Sequence, residues 1–246
     1  MASSGLPYAL GIHTTTPQLG LCCSHPERGI DTQTWDLGRD MSTQLHEHLF
    51  SFIQPNELQQ LKFIAVAKGP GGFTSTRLGV VTARTLAQQL NIPLFGISSL
   101  AAYVWHTNKG GQQQSSQNLE QELTNNDHGQ SSSTIRTAVE MPARRGQVFG
   151  AVYDMIGALP TDSNDPVRQQ LIPTELVAHK DDHVIDAEVW NHYLNTELPK
   201  PWTGLTITDA LGHTVSSVLE IATLDYLAQK SSHWSTVHPF YGQSPV

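Results

Sequence analysis

Short apolar runs separated by tight-turn residues open the chain. Residues 8–14, 19–24 and 30–35 are each rich in apolar and β-branched side chains, and the turns between them contain Pro17 and Gly29. Short strands at this close spacing are typical of a β-meander. The pattern therefore predicts three antiparallel strands at the start of the fold.

From residue 42 onward the apolar residues follow a helical period. Leu45, Leu49, Phe52 and Ile53 fall on one side of a helix over residues 42–54, which Pro55 ends. Further strands are predicted at 61–67, 94–97 and 147–154, and further helices at 76–90, 99–106 and 215–226. A meander followed by alternating strands and helices predicts an α/β fold in which helices flank a mixed sheet.

A polar stretch interrupts this pattern. Residues 108–134 contain runs of glutamine and serine and few apolar side chains, so they bury too little surface to offset the entropy of ordering. We predict an N-terminal lobe at 1–106, a polar, mobile insert at 107–136 and a second lobe at 137–208. A C-terminal helix at 209–230 is expected to pack back on the N-terminal lobe, followed by a tail at 231–246.

Composition narrows the classes of function. The 246 residues carry 14 basic and 22 acidic side chains, a net charge of −8, and no basic stripe is visible in the sequence. A protein that grips a phosphate backbone directly usually has such a stripe. Any link to nucleic acid is therefore expected to pass through a partner. The chain has no apolar run long enough to span a membrane, and its adjacent cysteines, Cys22 and Cys23, fit a reducing cytoplasm.

The most informative segment lies between the strand at 61–67 and the helix at 76–90. Its glycine-rich turn offers Gly69, Gly71, Gly72 and Thr74 to an anion, and Arg77 follows in the helix. A strand, a glycine turn and a helix N-terminus together are able to cradle a phosphate. However, no Gly-Lys-Ser/Thr triplet follows, so the P-loop pattern is incomplete. The same geometry also serves as a plain tight connection, and Arg77 equally suits an acidic partner or solvent.

The helix after the turn carries small residues every fourth position. Gly79, Ala83 and Ala87 form this stripe, flanked by Val80, Leu86 and Leu90. Such a stripe lets another element approach closely. The element is either a helix of a partner protein or the chain's own sheet, and the spacing favours neither.

Other candidate chemistry is weak. His46 and His48 are two residues apart on a predicted helix and so point to different faces. The remaining histidines are scattered, no Cys/His spacing indicates zinc, and no Gly-x-Ser-x-Gly motif indicates a serine hydrolase. We predict no catalytic residue, no metal site and no cofactor.

Four segments resemble one protein family. Residues 69–79, GPGGFTSTRLG, are similar to the GPGSFTGLRIG signature of the TsaB (YeaZ) proteins. Residues 143–149, ARRGQVF, resemble that family's ARRGEVY, residues 10–16 resemble its LAIDTST, and residues 239–241 lie where the family ends in Pro-x-Tyr. The resemblance covers the chain apart from the polar insert.

The resemblance implies a fold and a function. The fold is that of the actin/Hsp70-like ATPases, with two ribonuclease-H-like lobes of mixed sheets flanked by helices. The function is support for the synthesis of threonylcarbamoyladenosine beside the anticodon of tRNA. In that system TsaD is catalytic, TsaE is an ATPase, and TsaB is a non-catalytic scaffold that pairs with TsaD through helices. Because the helix with the small-residue stripe follows the signature turn, the resemblance assigns the partner surface to that helix. The resemblance thus implies TsaD and TsaE as partners, tRNA contact through the complex, and self-association of the isolated chain as an open alternative.

Three departures from the family pattern bear on nucleotide chemistry. His13 stands where the family has an acid in its first strand, Met41 where it often has a histidine, and Pro142 where it has an aspartate. In ATPases of this class such acids position Mg²⁺ and water. The departures favour a non-catalytic subunit over the alternative, an independent ATPase or sugar-kinase-like phosphotransferase that uses Gly69 to Thr74. A metallopeptidase is a third alternative, for which the chain offers no matching ligand pair.

Overall fold

The computed structural model describes residues 6–110, 132–158, 172–208 and 210–242. The chain divides into two compact units. The first comprises residues 1–103 together with 208–246, and the second comprises residues 104–207.

The first unit contains a five-stranded mixed sheet. Its strands are β1 (Ala9–His13), β2 (Gln18–His25), β3 (Gly29–Asp36), β4 (Phe63–Ala67) and β5 (Leu94–Ile97), in the order β3-β2-β1-β4-β5. The three N-terminal strands pair antiparallel, whereas β4 is parallel to both β1 and β5. The predicted meander is therefore present, and the sheet is mixed as the sequence indicated.

Six helices are found in the described part of the chain. They are α1 (Met41–Phe52), α2 (Pro55–Leu58), α3 (Phe73–Leu90), α4 (Ser99–Gly110), α5 (Ala187–Thr196) and α6 (Val215–Leu227). Short 3₁₀ turns occur at Gly38–Asp40, Gly212–Thr214 and Trp234–Thr236. None of these helices is long and apolar enough to cross a lipid bilayer.

The alternation of side chains along β1 explains how helices cover both faces of the first sheet. Leu10 and Ile12 belong to the same core cluster as the helices α1 and α3. The residue between them, Gly11, faces α6, because a Cβ there would lie 3.3 Å from the Cβ of Leu219. Since both faces are covered, every residue of β1 and β4 is buried, as expected for strands in the centre of an α/β sheet.

The second unit contains a four-stranded mixed sheet. Its strands are β6 (Ser132–Pro142), β7 (Gln147–Ala158), β8 (Ile172–Asp186) and β9 (Thr203–Thr206), in the order β8-β7-β6-β9. Trp190 of α5 is 1% exposed and packs in a core cluster with Val148 and Val152. Gly150 of β7 makes room for it, because a Cβ there would meet the indole ring at 3.1 Å.

The predicted fold class, α/β with mixed sheets flanked by helices, is confirmed. Several elements differ from the prediction, since α2, β8, α5 and β9 were not foreseen and α3 begins at Phe73 rather than at residue 76. At the predicted insert, α4 continues to Gly110 and β6 begins at Ser132, and residues 111–131 lie outside the described residues.

Candidate functional site

The glycine turn connects β4 to α3 and is held by the C-terminal segment of the same unit. Gly69 has a φ of +107°, a conformation that side chains other than glycine rarely adopt. A Cβ at Gly69 would also lie 2.5 Å from the carbonyl oxygen of Phe240. The Phe240 amide donates a hydrogen bond to the carbonyl of Lys68 at 2.7 Å, and the rings of Phe73 and Tyr241 lie 4.4 Å apart. The aromatic residues of the tail thus pack directly against the turn.

The next two glycines of the turn are in contact with Thr15. A Cβ on Gly71 would fall 2.1 Å from the carbonyl oxygen of Thr15, so only glycine fits at that position. The amide of Gly72 donates a hydrogen bond to the same oxygen at 2.7 Å. This amide, which a phosphate cradle would use, is therefore directed to the protein's own backbone.

The other two residues of the predicted anion site lie on the surface of α3. Thr74 and Arg77 are both exposed, and the Ser75 hydroxyl between them donates to the carbonyl of Gly72 at 3.2 Å. The structure therefore places the five predicted residues along one continuous bend. Gly69 and Gly71 are fixed by contacts within the chain, whereas Thr74 and Arg77 are open to solvent.

The small-residue stripe of α3 faces the protein's own core, and here the sequence interpretation needs correction. Val80, Ala83 and Ala87 are all 0% exposed, and Gly79 is also buried. A Cβ on Gly79 would lie 2.1 Å from the hydroxyl oxygen of Thr14. The small side chains therefore let α3 approach its own sheet, so these four residues do not form a surface for a partner.

Leu86 and Leu90, the two remaining residues of the predicted interface, are half-buried and pack against the core cluster. The exposed side of α3 instead carries Phe73, which is 57% exposed, and Val81, which is 49% exposed. Arg77 lies between them at helical spacing. The helix α1, which contacts α3, exposes Phe50 to 51%. The sequence signal for this exposed row was the spacing of Phe73, Arg77 and Val81 four residues apart.

His13 ends β1 as a fully buried imidazole. Burial, and to a smaller extent the charge of His213, lowers the pKa of His13 to about 3. Its two ring nitrogens have no hydrogen-bond partner among the described residues. His13 is therefore a neutral side chain at physiological pH.

Thr15 and Thr16, which follow β1, form hydrogen bonds within the first unit. The Ser99 hydroxyl donates to that of Thr15 at 3.0 Å, and the hydroxyl oxygen of Thr16 accepts from the Leu211 amide at 2.9 Å. Met41 is 3% exposed at the start of α1, where it serves the core. The end of β1 and the residues that follow it are thus neutral groups, namely His13, Thr14, Thr15 and Thr16.

The second sequence motif forms the hairpin between β6 and β7. Arg144 and Arg145 are exposed at its tip, next to Pro142 at the end of β6. Deeper in the same hairpin, Arg136 makes two 2.7 Å hydrogen bonds to the carboxylate of Asp154, and these bonds hold the pKa of Asp154 below its usual value.

The candidate metal ligands do not cluster in the part of the chain that the structure describes. Within residues 6–110, 132–158, 172–208 and 210–242, no three His, Cys, Asp or Glu side chains are grouped so that they could hold a metal ion. His46 and His48 remain separate positions on α1, and His46 is exposed.

Comparison with known proteins gives both local sequence matches and a match of the whole fold. A family model described as TsaD, tRNA N6-adenosine threonylcarbamoyltransferase, matches residues 48–116. The tRNA threonylcarbamoyladenosine biosynthesis protein TsaB of Bacillus subtilis (strain 168) is 34% identical over 93 residues, which are 37% of this chain and 41% of that protein. The TsaB of Buchnera aphidicola subsp. Schizaphis graminum is 46% identical over 44 residues, 18% of this chain and 21% of that protein. The match to these curated relatives thus spans about two fifths of their length or less.

Two solved structures from Pseudomonas aeruginosa share the fold. One, titled YeaZ, has a TM-score of 0.61 at 17% sequence identity and covers 96% of this chain and 100% of that chain. The other is titled an uncharacterized protein with similarity to peptidase YEAZ, with a TM-score of 0.65 at 17% identity, and covers 97% of this chain and 100% of that one.

The fold gives the structural class of this protein. This is a two-unit α/β protein with the fold of the YeaZ structures. The local matches to curated TsaB proteins add the sequence evidence, and together the findings support the TsaB (YeaZ) family for this chain.

Proposed function

We propose that this chain is a non-catalytic scaffold that binds TsaD and supports threonylcarbamoyl transfer to the adenosine beside the tRNA anticodon. TsaE is the expected third component, and tRNA is bound by the complex. The names of the matched relatives support a part in threonylcarbamoyladenosine biosynthesis. The observation that carries the scaffold role is the exposed row Phe73, Arg77 and Val81 on α3.

This row has the chemistry of a docking surface. Phe73 and Val81 are large apolar side chains, each exposed by about half, and α3 carries two arginines, Arg77 and Arg84, and no acid. The chain as a whole is acidic, with a net charge of −8. Two apolar side chains with an arginine between them fit a partner helix that carries both apolar residues and carboxylates. The proposed surface is therefore this exposed row, with the half-buried Leu86 and Leu90 at its border.

The alternative is an independent ATPase or phosphotransferase that uses the turn from Gly69 to Thr74. Within that turn the Gly72 amide is bonded to Thr15, and Gly71 is packed against the same residue. Phosphate binding there would require these contacts to break. The scaffold therefore agrees better with the geometry. Calorimetry of the isolated chain with ATP and Mg²⁺ separates the two, because turnover without a partner would favour the enzyme.

Replacing Val81 with arginine tests the docking surface. Val81 is 49% exposed, so the substitution leaves the core intact but replaces an apolar contact at one end of the row with a second charge. We expect the affinity for TsaD from the same organism to fall at least about 30-fold, which corresponds to roughly 2 kcal/mol at an interface contact. Co-purification and calorimetric titration measure this loss.

Val189→Arg is the matched control, because Val189 is also a helical valine, 55% exposed, on α5 of the second unit. It should bind TsaD as the wild type does. An arginine at Ala83 would not serve, since that side chain is buried and the change would disrupt the core. If Val81→Arg bound TsaD with unchanged affinity while remaining folded, the assignment of this surface would be wrong.

A further inference from the structure

The hairpin between β6 and β7 closes with a tight turn whose geometry is well defined. The Gln147 amide donates to the carbonyl of Arg144 at 3.2 Å, and the Ala143 amide donates to the carbonyl of Gln147 at 2.9 Å. The two central residues, Arg145 and Gly146, have φ values of +60° and +75°. Positive φ at both central positions is the signature of a type I′ turn.

Arginine is a poor residue for the first central position of such a turn. The left-handed region brings Cβ close to the backbone, so glycine and asparagine are the residues that normally occupy it. Gly146 satisfies this preference at the second position, whereas Arg145 does not. The turn itself therefore gives no reason for an arginine at residue 145.

The charges at the tip are also unpaired. Arg144 and Arg145 are exposed, and neither side chain has a hydrogen bond or an ion pair to any residue that the structure describes. Arg136, in the same hairpin, shows the contrast, because it is bonded to Asp154 at two points.

An acid at the start of α5 is used within that helix. The Ala187 amide donates to the carbonyl of Gly146 at 3.1 Å, which brings the start of α5 beside the turn. The carboxylate of Asp186 there accepts from the Glu188 amide at 2.9 Å and so caps α5. Two adjacent guanidinium groups thus remain available in a chain of net charge −8.

We propose that the Arg144–Arg145 turn is a contact for the phosphate backbone of tRNA within the assembled complex. The inference rests on the proposed function, which supplies the tRNA. Guanidinium groups pair with phosphate oxygens through two parallel hydrogen bonds, and a two-residue contact of this kind positions RNA without reading its sequence. It also reconciles an acidic chain with an RNA substrate, because the attraction is confined to one tip and requires the partner for most of the affinity.

The salt dependence of tRNA binding tests the contact. The wild-type chain is mixed with TsaD, and the affinity of the mixture for an unmodified tRNA transcript is measured at salt concentrations between 50 and 200 mM. Over this range the fall in affinity reports the number of phosphate contacts, because each contact releases counterions. The variant is Arg144→Gln with Arg145→Asn, and Lys200→Gln is the control, since Lys200 is an exposed cation elsewhere in the second unit. We expect the double variant to weaken tRNA binding at 50 mM salt and to reduce the slope of log K against log salt by about 1.4 to 1.8. The control should leave the affinity unchanged.

Arg145→Asn alone adds a second readout. Asparagine tolerates positive φ, so this single change should raise Tm by about 1–3 °C while it weakens tRNA binding. Weaker binding in a more stable protein excludes unfolding as the cause.

Three other outcomes would contradict the inference, each in a different way. An unchanged slope in a complex that does bind tRNA overturns the phosphate contact alone. If the double variant no longer bound TsaD but the salt dependence of tRNA binding were unchanged, the turn would be a contact for an acidic protein surface instead. If the wild-type chain neither bound TsaD nor increased the affinity of TsaD for tRNA, the proposed function and this inference would both be wrong.

Discussion

Replacing Gly79 with alanine places a methyl group where Thr14 already lies. Gly79 is in the interior of α3, and an ideal Cβ there would be 2.1 Å from the Thr14 hydroxyl oxygen and 3.1 Å from its Cβ. Thr14 is 0% exposed, and its hydroxyl donates to the carbonyl of Ser75 at 2.8 Å. The hydroxyl therefore cannot move aside without breaking this hydrogen bond.

The expected free-energy change follows from three contributions. Glycine to alanine inside a helix would by itself stabilise the protein by up to about 1 kcal/mol. Overpacking of a filled core costs about 2–3 kcal/mol, toward the upper end of its usual range because the overlap is severe. Loss of the Thr14–Ser75 hydrogen bond costs about 1 kcal/mol more. We therefore expect Gly79→Ala to destabilise the protein by about 2–3 kcal/mol, which lowers Tm by roughly 4–10 °C.

Thermal and urea unfolding monitored by circular dichroism measure this change. Thr14→Ala provides the second arm of a double-mutant cycle, because it removes the hydroxyl that the new methyl group would meet. Gly79→Ala should cost at least about 1 kcal/mol less in the Thr14→Ala background than in the wild type. If Gly79→Ala instead stabilised the protein by about 1 kcal/mol, as helix propensity alone requires, α3 would not pack on Thr14 and the stripe would be free for a partner after all.

Two further predictions concern buried titratable groups in the first unit. Because the pKa of His13 is lowered to about 3, only the unfolded chain binds its proton as pH falls below about 6.5, so this residue's contribution to stability is lost toward acid pH at up to about 1.4 kcal/mol per pH unit. His13→Leu should flatten the dependence of the unfolding free energy on pH between 6.5 and 4.5; equal slopes in the wild type and the variant would contradict the buried neutral state. Burial also raises the pKa of the Cys22 and Cys23 thiols to about 12, so neither should react with a disulfide reagent at pH 8 until guanidinium unfolds the protein. Rapid labelling of the native chain, measured by absorbance, would show that these thiols are accessible.

Elements with a clean period could be predicted from the sequence. The strands β1, β2, β4 and β5 are short apolar runs, the helices α1 and α3 have apolar residues at helical spacing, and all of these elements lie between strong turn residues. The strand β8 was missed because its second half is highly charged and its pairing with β7 contains register shifts. The helix α5 did leave a signal, since Asp186 caps it and Trp190, Tyr193 and Leu194 follow helical spacing.

The orientation of α3 could not be predicted in the same way. A stripe of small residues has the same pattern whether it meets a partner helix or the protein's own sheet. The outcome depends on Thr14, whose packing on Gly79 is a non-local contact. The same holds for the glycine turn, because the hydrogen-bond acceptor for its Gly72 amide is the carbonyl of Thr15, from another part of the chain. Local sequence identified the important segments, but long-range packing decided which of their faces remain exposed.

The central claim is that this chain acts by binding TsaD through the exposed row on α3, and the rate of threonylcarbamoyladenosine formation tests it most directly. TsaD and TsaE are supplied with an unmodified tRNA and the activated threonylcarbamoyl donor, and the modified nucleoside is quantified by mass spectrometry. We expect product to form rapidly with the wild-type chain or with Val189→Arg, and at least about tenfold more slowly with Val81→Arg at subsaturating concentration. Equal rates with and without the chain would contradict the proposed function, and equal rates for the two variants would contradict the proposed surface.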